Sequence, residues 1–322
     1  MPRTIIGVDV CQDYLDVHLR PAALNKRFPN TSEGIADFVA WVGPHAAERI
    51  VFESTGPYQK VAVGALLAQG LPAVVVNARQ VRDFAKAMNL LAKTDRIDAA
   101  VIAHFGEVAT TTVRPLESQQ IRDFRDLNDR RSQLVRMLTI EKNQRHSATV
   151  AHASPKVLKS IDKHIDYLEK QIRDLEQRMD QIVESSETFR AKDEILQTIT
   201  GIGPQVSRTL LAYLPELGQY SRQHITALVG LAPFNDDSGT HAGQRHIRGG
   251  RRKVRVGLYQ AAVAAIRHCP RMKAYYAALK AKGKASRVAL IAIARKILVL
   301  ANAMIRDMLP YNPPQTPFAK NA

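Results

Sequence analysis

The sequence predicts an α/β domain at the N-terminus, then a helical hairpin, and then a mainly helical, strongly basic region. Three observations lead to this fold class. Strand-like and helix-like segments alternate over the first third of the chain, a heptad pattern runs through the middle, and almost all excess positive charge lies in the last third. We therefore divide the 322 residues into predicted domains at 1–113, 114–193 and 194–322.

The first domain is expected to contain a central sheet, because helices repeatedly follow strands. Its first two strands should form a hairpin, in which apolar Val17 and Leu19 alternate with polar neighbours. The predicted elements are strands at 4–10, 14–20, 49–53 and 73–76 and helices at 32–42, 57–69 and 95–108.

A heptad seam marks the middle of the chain. Its apolar residues recur at alternating spacings of 3 and 4, as coiled-coil a and d positions do: Leu158, Ile161, Ile165, Leu168, Ile172, Leu175, Met179 and Ile182. Residues 117–147 also have a helical pattern, although Arg131 and Lys142 interrupt its apolar stripe. We expect an antiparallel hairpin that turns near 152–155; the alternative is an ordinary helix packed on its own domain. The pattern does not decide whether the partner helix belongs to the same chain.

The charge is distributed unevenly. Residues 1–113 contain 11 basic and 11 acidic residues, residues 114–193 contain 16 and 14, and residues 194–322 contain 19 and 5. A polyanionic partner, most simply nucleic acid, is expected for the last third; a solvated basic surface is the alternative. Helices are predicted there at 205–214, 222–231, 252–268, 271–282 and 285–309, before a proline-rich tail at 310–317.

Composition also argues against several classes of protein. Two distant cysteines, Cys11 and Cys269, disfavour a disulfide scaffold or a thiolate zinc finger and favour a reducing cytosol. We expect no signal peptide, since a strand-like pattern begins at once. No apolar run is expected to reach the roughly 18 residues of a membrane span, so a cytoplasmic protein is predicted.

Four carboxylates in the neutral domain form a candidate metal site. Asp9 and Glu53 lie in or at the end of predicted strands, and Asp95 and Asp98 lie three residues apart at the start of a helix. Carboxylate oxygens suit Mg²⁺, and two such ions about 4 Å apart can stabilise phosphoryl transfer. In the competing interpretation, Asp95 only favours the helix start, Glu53 is a turn residue and Asp9 is paired with a lysine.

Two features of the basic region are candidates for contact with DNA. Gly201 and Gly203, in the run Thr200–Pro204, resemble a helix–hairpin–helix turn whose backbone N–H groups bind phosphate; a turn without a ligand is the alternative. An arginine-rich run follows Ser238 and is expected to bind phosphate through Arg245, Arg248, Arg251, Arg252, Lys253 and Arg255. Ser238 itself, taken alone, is more typical of a turn residue than of a nucleophile.

Taken together, these motifs resemble the DEDD transposases of the bacterial insertion-sequence family numbered 110, with its 1111 subgroup and the related pilin-gene invertases. The resemblance covers nearly the whole chain. It rests on an ordered set of motifs: Gly7-Val8-Asp9 with Leu15-Asp16-Val17, Phe52–Tyr58, Lys93–Ala99, Ile199–Pro204, Gly230–Pro233, Asp237-Ser238-Gly239 and the run from Gly249 to Tyr259.

The resemblance implies a ribonuclease-H-like N-terminal domain, a coiled-coil linker and a C-terminal transposase domain. It implies that Asp9, Glu53, Asp95 and Asp98 hold Mg²⁺, with two ions expected and Mn²⁺ as a substitute. It also implies that Ser238 forms a covalent phosphoserine link to DNA, that dimers assemble into tetramers, and that a noncoding bridge RNA pairs with donor and target DNA. A bacterial protein associated with the nucleoid is therefore expected. A metal-dependent junction nuclease that uses water, and a non-catalytic nucleic-acid scaffold, are the competing hypotheses.

Overall fold

The computed structural model describes residues 3–54, 56–90, 95–109, 118–235, 237–238, 241–243 and 245–312, without the side chains of 95–97, 237, 241 and 242. The chain forms two compact units, Met1–Glu117 and Ser118–Ala322. Each unit has a hydrophobic core of its own. The predicted division at 193/194 falls inside the second unit, and the three-domain organisation stays a prediction.

The first unit is built on a five-stranded mixed sheet. Its strands are β1 (Ile5–Val10), β2 (Tyr14–Arg20), β3 (Leu24–Pro29), β4 (Arg49–Glu53) and β5 (Ala73–Val76), in the spatial order β3-β2-β1-β4-β5. The first three strands are antiparallel neighbours, whereas β4 is parallel to both β1 and β5. The predicted α/β architecture is confirmed.

Helices cover both faces of this sheet. They are α1 (Ser32–Val42), α2 (Lys60–Ala68), α3 (Ala78–Ala87) and α4 (Asp95–Val108), with a short 3-10 helix at Gly43–His45. On one face, Phe38 of α1 and Leu66 of α2 pack against Phe52. On the other, Ile102 of α4 packs against Val51. The sequence did not predict β3 or α3.

A long helical hairpin opens the second unit. Helix α5 (Gln119–Val150) and helix α6 (Pro155–Ser185) are joined by residues 151–154 and pack against each other along their length. Leu168 and Ile172 of the heptad seam are buried against Leu134. The partner helix therefore belongs to the same chain, as the predicted hairpin required.

The two basic residues that interrupt the α5 stripe form ion pairs with α6. Arg131 Nε lies 2.7 Å from Glu176 Oε1, and Lys142 Nζ lies 2.7 Å from Glu169 Oε1. Each cation faces a carboxylate of the opposite helix, so the interruption in the stripe does not end the packing. The Lys142–Glu169 pair is exposed and contributes little, whereas the Arg131–Glu176 pair is partly buried; the buried leucine and isoleucine side chains of the seam are the main source of stability.

The remaining helices form the main core of the second unit. They are α7 (Glu187–Gln197), α8 (Pro204–Tyr213), α9 (Arg222–Val229), α10 (Arg252–His268), α11 (Pro270–Ala281) and α12 (Ser286–Asp307). Leu210, Leu258 and Ile293 are fully buried at its centre. The mainly helical character predicted for this part of the chain is confirmed.

Helix α12 corrects one expectation from composition. By length and hydropathy it could cross a membrane, and half of its apolar window is buried inside the unit. The helix itself was predicted at 285–309, but it was not recognised as long and apolar enough to cross a membrane, because Arg295 and Lys296 interrupt its apolar residues. Four of its apolar residues are buried in the core of the unit: Ala294, Ile297, Leu298 and Ala301. The apolar composition is therefore that of a core helix.

Four two-residue strands connect α9 to α10. Strand β6 (Pro233–Phe234) pairs with β9 (His246–Ile247), and β7 (Asp237–Ser238) pairs with β8 (His241–Ala242), both antiparallel. The sequence had indicated only a turn followed by a basic run here. The described residues of the segment 231–250, which we call the serine loop, therefore contain two short ladders, with β7–β8 nested inside β6–β9.

Candidate functional site

Asp9 and Glu53 lie at the carboxyl ends of two adjacent parallel strands. The last β1–β4 pair in register is Val8 with Phe52, so Asp9 and Glu53 are the next residues along each strand. Because side chains alternate between faces, Asp9 lies on the face of Gly7, and Glu53 lies on the face of Val51. Since neighbouring strands are about 4.8 Å apart, the two partly buried carboxylates approach the same edge of the sheet.

Helix α4 brings its first turn to that edge. A Cβ added to Gly7 would come closer than 3.0 Å to backbone atoms of Ala99 and Ala103, so the helix lies directly on β1. Its last turn lies near the start of the strands, where Arg49 donates to the carbonyl oxygens of Gly106 and Ala109 at 3.1 and 3.0 Å. The helix therefore runs antiparallel to β1, and its N-terminal turn, with Asp95 and Asp98, points towards the end that holds Asp9.

The predicted magnesium ligands have the chemistry that suits this ion, and their elements approach the same edge of the sheet. Carboxylate oxygens are the ligands that Mg²⁺ prefers. Among the side chains that the structure describes, however, no three His, Cys, Asp or Glu residues are placed so that they could hold a metal ion. Asp9, Glu53 and Asp98 thus do not form a metal site by themselves. The side chain of Asp95, the fourth predicted ligand, lies outside the described residues, so the four-carboxylate site stays a prediction.

A fifth carboxylate lies beside Asp9. Asp16 is directly opposite Asp9 in the β1–β2 ladder, so both side chains project from one face. Arg27 donates to both oxygens of Asp16 at 2.8 Å, and only 13% of the Asp16 side chain is exposed. The sequence had shown Asp16 as part of a motif and gave it no role. The sequence signal that could have identified Asp16 was a charged residue within a strand, between the apolar residues Leu15 and Val17.

Ser238 is exposed on the second ladder of the serine loop. In the register of the β7–β8 pair it lies directly opposite His241. The side chain of His241 lies outside the description, and so do Gly239 and Thr240 between the strands. An exposed hydroxyl on a short hairpin is accessible to a large substrate such as a nucleic-acid strand.

The base of the serine loop is a close contact between two glycines. A Cβ on Gly230 or on Gly250 would come closer than 3.0 Å to backbone atoms across the base, including Gly249 O and Gly230 N. Both glycines also have positive φ, +77° and +70°, which other residues rarely adopt. Two separate runs of the sequence, Gly230–Pro233 and Gly249–Tyr259, therefore meet at one point in the fold.

Three of the predicted phosphate-binding residues make internal contacts. Arg251 forms a two-bonded ion pair with Glu216, at 2.5 and 2.6 Å. Arg255 donates to the carbonyl oxygens of Gly249 and Val229. Lys253 contacts Asp129 on α5 and lies over the ring of Tyr213 at 4.6 Å. These contacts give the three residues structural partners, and their role towards nucleic acid stays a prediction.

The other three basic residues of the run are exposed: Arg245, Arg248 and Arg252. Arg245 and Arg248 lie on the return side of the serine loop, next to β9. Arg252 is the first residue of α10. Their exposure suits contact with a phosphate backbone, which binds through charge and needs no pocket.

The Gly-Ile-Gly turn joins α7 to α8. A Cβ on Gly201 would come closer than 3.0 Å to the carbonyl oxygen of Ala261 on α10, so packing against α10 already explains this glycine. Gly203 is different, because no atom lies within 4 Å of the position of its Cβ. It caps α8 in an extended conformation, ahead of Pro204. Gly203 is therefore the member of the pair with room for a ligand.

Comparison with known proteins assigns both regions to one family. A model for DEDD transposases of the IS110 type, described as "Transposase", matches residues 6–154. A second model, "Transposase IS116/IS110/IS902 family", matches residues 193–277. The chain belongs to the IS110 transposase family. The four predicted carboxylates lie in the first match, and the Gly-Ile-Gly turn and Ser238 lie in the second.

Curated relatives of this IS110-family transposase include two proteins that match over nearly their whole length. Pilin gene-inverting proteins from Moraxella lacunata and Moraxella bovis are each 23% identical over 97% of this chain and 98% of their own. An uncharacterized 44.8 kDa protein of insertion element IS116 from Streptomyces clavuligerus is 31% identical over 40% of this chain and 34% of its own. The transposase is thus an enzyme that acts on DNA, and its family carries out DNA recombination.

Proposed function

We propose that this transposase is a Mg²⁺-dependent, site-specific DNA recombinase. It would exchange strands through a covalent bond between Ser238 and a DNA phosphate, under the guidance of a noncoding bridge RNA. The observation that carries the proposal is the approach of Asp9, Glu53 and the first turn of α4 to one sheet edge, within the region that matches the transposase model. The exposure of Ser238 within the second matched region supports the covalent step.

Asp9, Glu53, Asp95 and Asp98 would hold a pair of Mg²⁺ ions, with Mn²⁺ as a substitute. When bound, the ions would stabilise the negative charge that develops on the reacting phosphate. The chain's own contribution is to place the carboxylates. Backbone pairing of β1 with β4 sets Asp9 beside Glu53, and the contact of α4 with Gly7 sets the position of Asp95 and Asp98.

The covalent step conserves the phosphodiester bond. Ser238 Oγ would attack the phosphorus of one DNA strand and lose its proton to a base at the site. A new Oγ–phosphorus bond forms while the bond from phosphorus to the released strand breaks, and the released hydroxyl oxygen takes up a proton. The hydroxyl of another strand end would then attack the phosphoserine, which restores Ser238 and joins the strands. Each step exchanges one phosphoester bond for another, so no nucleotide hydrolysis is required.

Nucleic-acid binding would fall to the basic second unit. Arg245, Arg248 and Arg252 would contact phosphates through charge, and the N-terminus of α8 at Gly203, with Gly201 shaping the turn, would contact one through backbone N–H groups. Arg251, Lys253 and Arg255 lie in the same run and already have partners within the second unit. Because backbone contacts do not read sequence, base pairing with the RNA would select donor and target DNA.

The proposal also covers the type of sheet, the turn between α7 and α8, the oligomeric state and the location in the cell. The meander β1–β3 with parallel β4 and β5 supports a ribonuclease-H-like sheet, and the short turn between α7 and α8 supports a helix–hairpin–helix element. Dimers would assemble into tetramers on DNA, and the serine of one subunit and the carboxylates of another would together complete one composite site. The enzyme would work at the nucleoid of a bacterial cell.

Two variants test the chemistry. Ser238→Ala should abolish adducts between protein and DNA that survive denaturant, whereas Ser185→Ala, which removes an exposed helical hydroxyl, should form them normally. Asp95→Asn should abolish the reaction with Mg²⁺ and leave nucleic-acid affinity unchanged. If Ser238→Ala still cleaves DNA in the presence of Mg²⁺, the water-dependent nuclease is correct instead.

The RNA is tested separately. Sequencing RNA that copurifies with the transposase should yield one dominant noncoding species, and adding that RNA should direct recombination to DNA that pairs with it. Recombination that proceeds equally well after ribonuclease treatment would contradict guidance. Absence of any cut or joined product with DNA, Mg²⁺ and the RNA would favour a non-catalytic scaffold.

A further inference from the structure

The serine loop has little stability of its own. Its two ladders, β6 with β9 and β7 with β8, contain two residue pairs each. Even a complete isolated hairpin is marginally stable in water. The position of Ser238 must therefore depend on contacts at the base of the loop, where the chain leaves α9 and enters α10.

Arg255 joins the two ends of that base. Its guanidinium donates to Val229 O, the last residue of α9, at 3.3 Å, and also to Gly249 O, on the return side of the loop. These carbonyls are 20 residues apart in sequence, and Arg255 itself lies in the first turn of α10. Arg255 is partly buried, and its bond to Val229 O is partly shielded from water, whereas its bond to Gly249 O is exposed. One side chain thus connects the entry and the exit of the serine loop.

Arg251 anchors the C-terminal end of the serine loop to the end of helix α8 and the residues that follow it. Its guanidinium forms two bonds with the Glu216 carboxylate and a third, of 2.8 Å, with Tyr213 O. Its side chain is 21% exposed and that of Glu216 is 14% exposed. The backbone N–H of Arg251 also donates to Leu228 O at 3.2 Å. These four hydrogen bonds all lie within the second unit, and three of them occupy both terminal nitrogens of the Arg251 guanidinium, which a phosphate-binding arginine would keep for its ligand.

We propose that Arg251 and Arg255 are positioning residues for Ser238, which hold the base of the serine loop closed, and that they do not bind nucleic-acid phosphate. The inference rests on the proposed role of Ser238 as nucleophile. It separates the arginine-rich run into two groups with different tasks. Arg251 and Arg255 stabilise the loop, whereas the exposed Arg245 and Arg248 contact the nucleic-acid backbone.

The test compares the rate of the covalent step with nucleic-acid affinity. For Arg255→Met and Arg251→Met, we expect the single-turnover rate of adduct formation at saturating DNA and RNA to fall by roughly 30-fold or more, since small displacements of a reacting group are costly. The dissociation constant and its dependence on salt should stay within about twofold of wild type. Arg245→Met and Arg248→Met should instead weaken binding, and each should reduce the slope of log K against log salt by about one. Arg267→Met, which removes an exposed arginine at the far end of α10, serves as the matched control.

A conservative variant distinguishes a positioning role of Arg255 from a general loss of folding. Lysine keeps the charge that a phosphate contact needs, but it lacks the planar guanidinium that donates to two separate carbonyls. Arg255→Lys should therefore still slow adduct formation by roughly 10-fold, with unchanged affinity and thermal midpoint. A wild-type rate in Arg255→Lys, or a reduced salt slope in Arg255→Met, would overturn the proposal.

Amide hydrogen exchange tests the role of Arg251 and Arg255 in the serine loop independently of the proposed chemistry at Ser238. Arg255→Met and Arg251→Met should raise amide exchange selectively in residues 231–250 and leave α5 and α6 unchanged. This measurement needs no catalysis. If wild type forms no adduct through Ser238, the proposed chemistry is wrong, whereas unchanged exchange in the loop shows that the two arginines do not hold it.

Discussion

Asp16 lies directly opposite Asp9 across the β1–β2 ladder, and Arg27 donates to both oxygens of the Asp16 carboxylate at 2.8 Å. Arg27 also lies over the ring of Tyr14, 5.0 Å from its centre. A balanced ion pair is thus built next to a proposed metal ligand. Its two charges should influence metal binding in opposite directions.

Variants of this pair test that relationship. Asp16→Asn leaves the positive charge of Arg27 near the site and should weaken Mg²⁺ binding, whereas Arg27→Gln leaves the negative charge of Asp16 and should strengthen it. A unit charge about 6 Å from a divalent ion in water is worth about 1.4 kcal/mol, so each shift should be roughly 10-fold. Calorimetric titration of the protein with Mg²⁺ measures it. The double variant should return close to wild type, and shifts of the same sign in both single variants would contradict the account.

Gly7 should be intolerant of any side chain. In Gly7→Ala the new Cβ would overlap the backbone of Ala99 and Ala103, so α4 must move away from β1 and take Asp95 and Asp98 with it. We expect a loss of about 2 kcal/mol or more in the free energy of unfolding, measured with urea, together with loss of DNA cleavage. Gly64→Ala is the control, because open space surrounds that position in α2. Alanine there should stabilise the helix by up to about 1 kcal/mol.

The sheet edge shows how far periodicity can predict a site. The strands that carry Asp9 and Glu53 were predictable because their apolar residues are dense, and α4 was predictable from its spacing. Strand β3 was missed because Phe28 is its only buried residue, and helix α3 was missed because Val81 is its only buried one. Edge elements of this kind have mostly exposed side chains, so hydrophobic pattern contains little information about them.

Tyr213 should make stability depend on alkaline pH. Burial, and then the hydrogen bond to the Asp129 carboxylate and its negative charge, raise the pKa of the Tyr213 phenol. A tyrosine in the unfolded chain ionises near pH 10. Below that pH the contribution of Tyr213 to stability is fully present; above it the unfolded chain ionises first, and the contribution is lost as pH rises towards the folded-state pKa.

The difference between wild type and Tyr213→Phe isolates this effect. We expect the free-energy difference between the two proteins, from urea unfolding, to be constant from pH 7 to about pH 9 and to shrink above about pH 10. Tyr220→Phe, at a tyrosine that is 44% exposed, should show no such change. A difference that grows with pH would contradict the raised pKa.

The helical hairpin should depend on its seam. Leu168 is 1% exposed, and Leu168→Ala should cost about 2–4 kcal/mol of unfolding free energy. Tyr167, the preceding residue, is 57% exposed, and Tyr167→Ala should cost less than about 0.5 kcal/mol. Circular dichroism during urea unfolding measures both, and equal effects would contradict the observed helix face.

The basic run shows what composition cannot predict. The excess charge of the last third was visible in the sequence, but the partners of each arginine were not. Glu216 lies 35 residues before Arg251, and Asp129 lies 124 residues before Lys253. Only the fold brings these acids to the run, so a count of charges could not separate structural arginines from exposed ones.

The central claim is that Ser238 becomes covalently joined to DNA, and mass spectrometry of the adduct tests it most directly. Trypsin should release residues 223–245 as one peptide, because no lysine or arginine lies between Arg222 and Arg245, and Ser238 is its only serine. After reaction with DNA, the RNA and Mg²⁺, followed by nuclease digestion, we expect this peptide to carry the mass of a nucleotide phosphate on Ser238. Cleaved DNA with an unmodified peptide, or a nucleotide on another residue, would contradict the account.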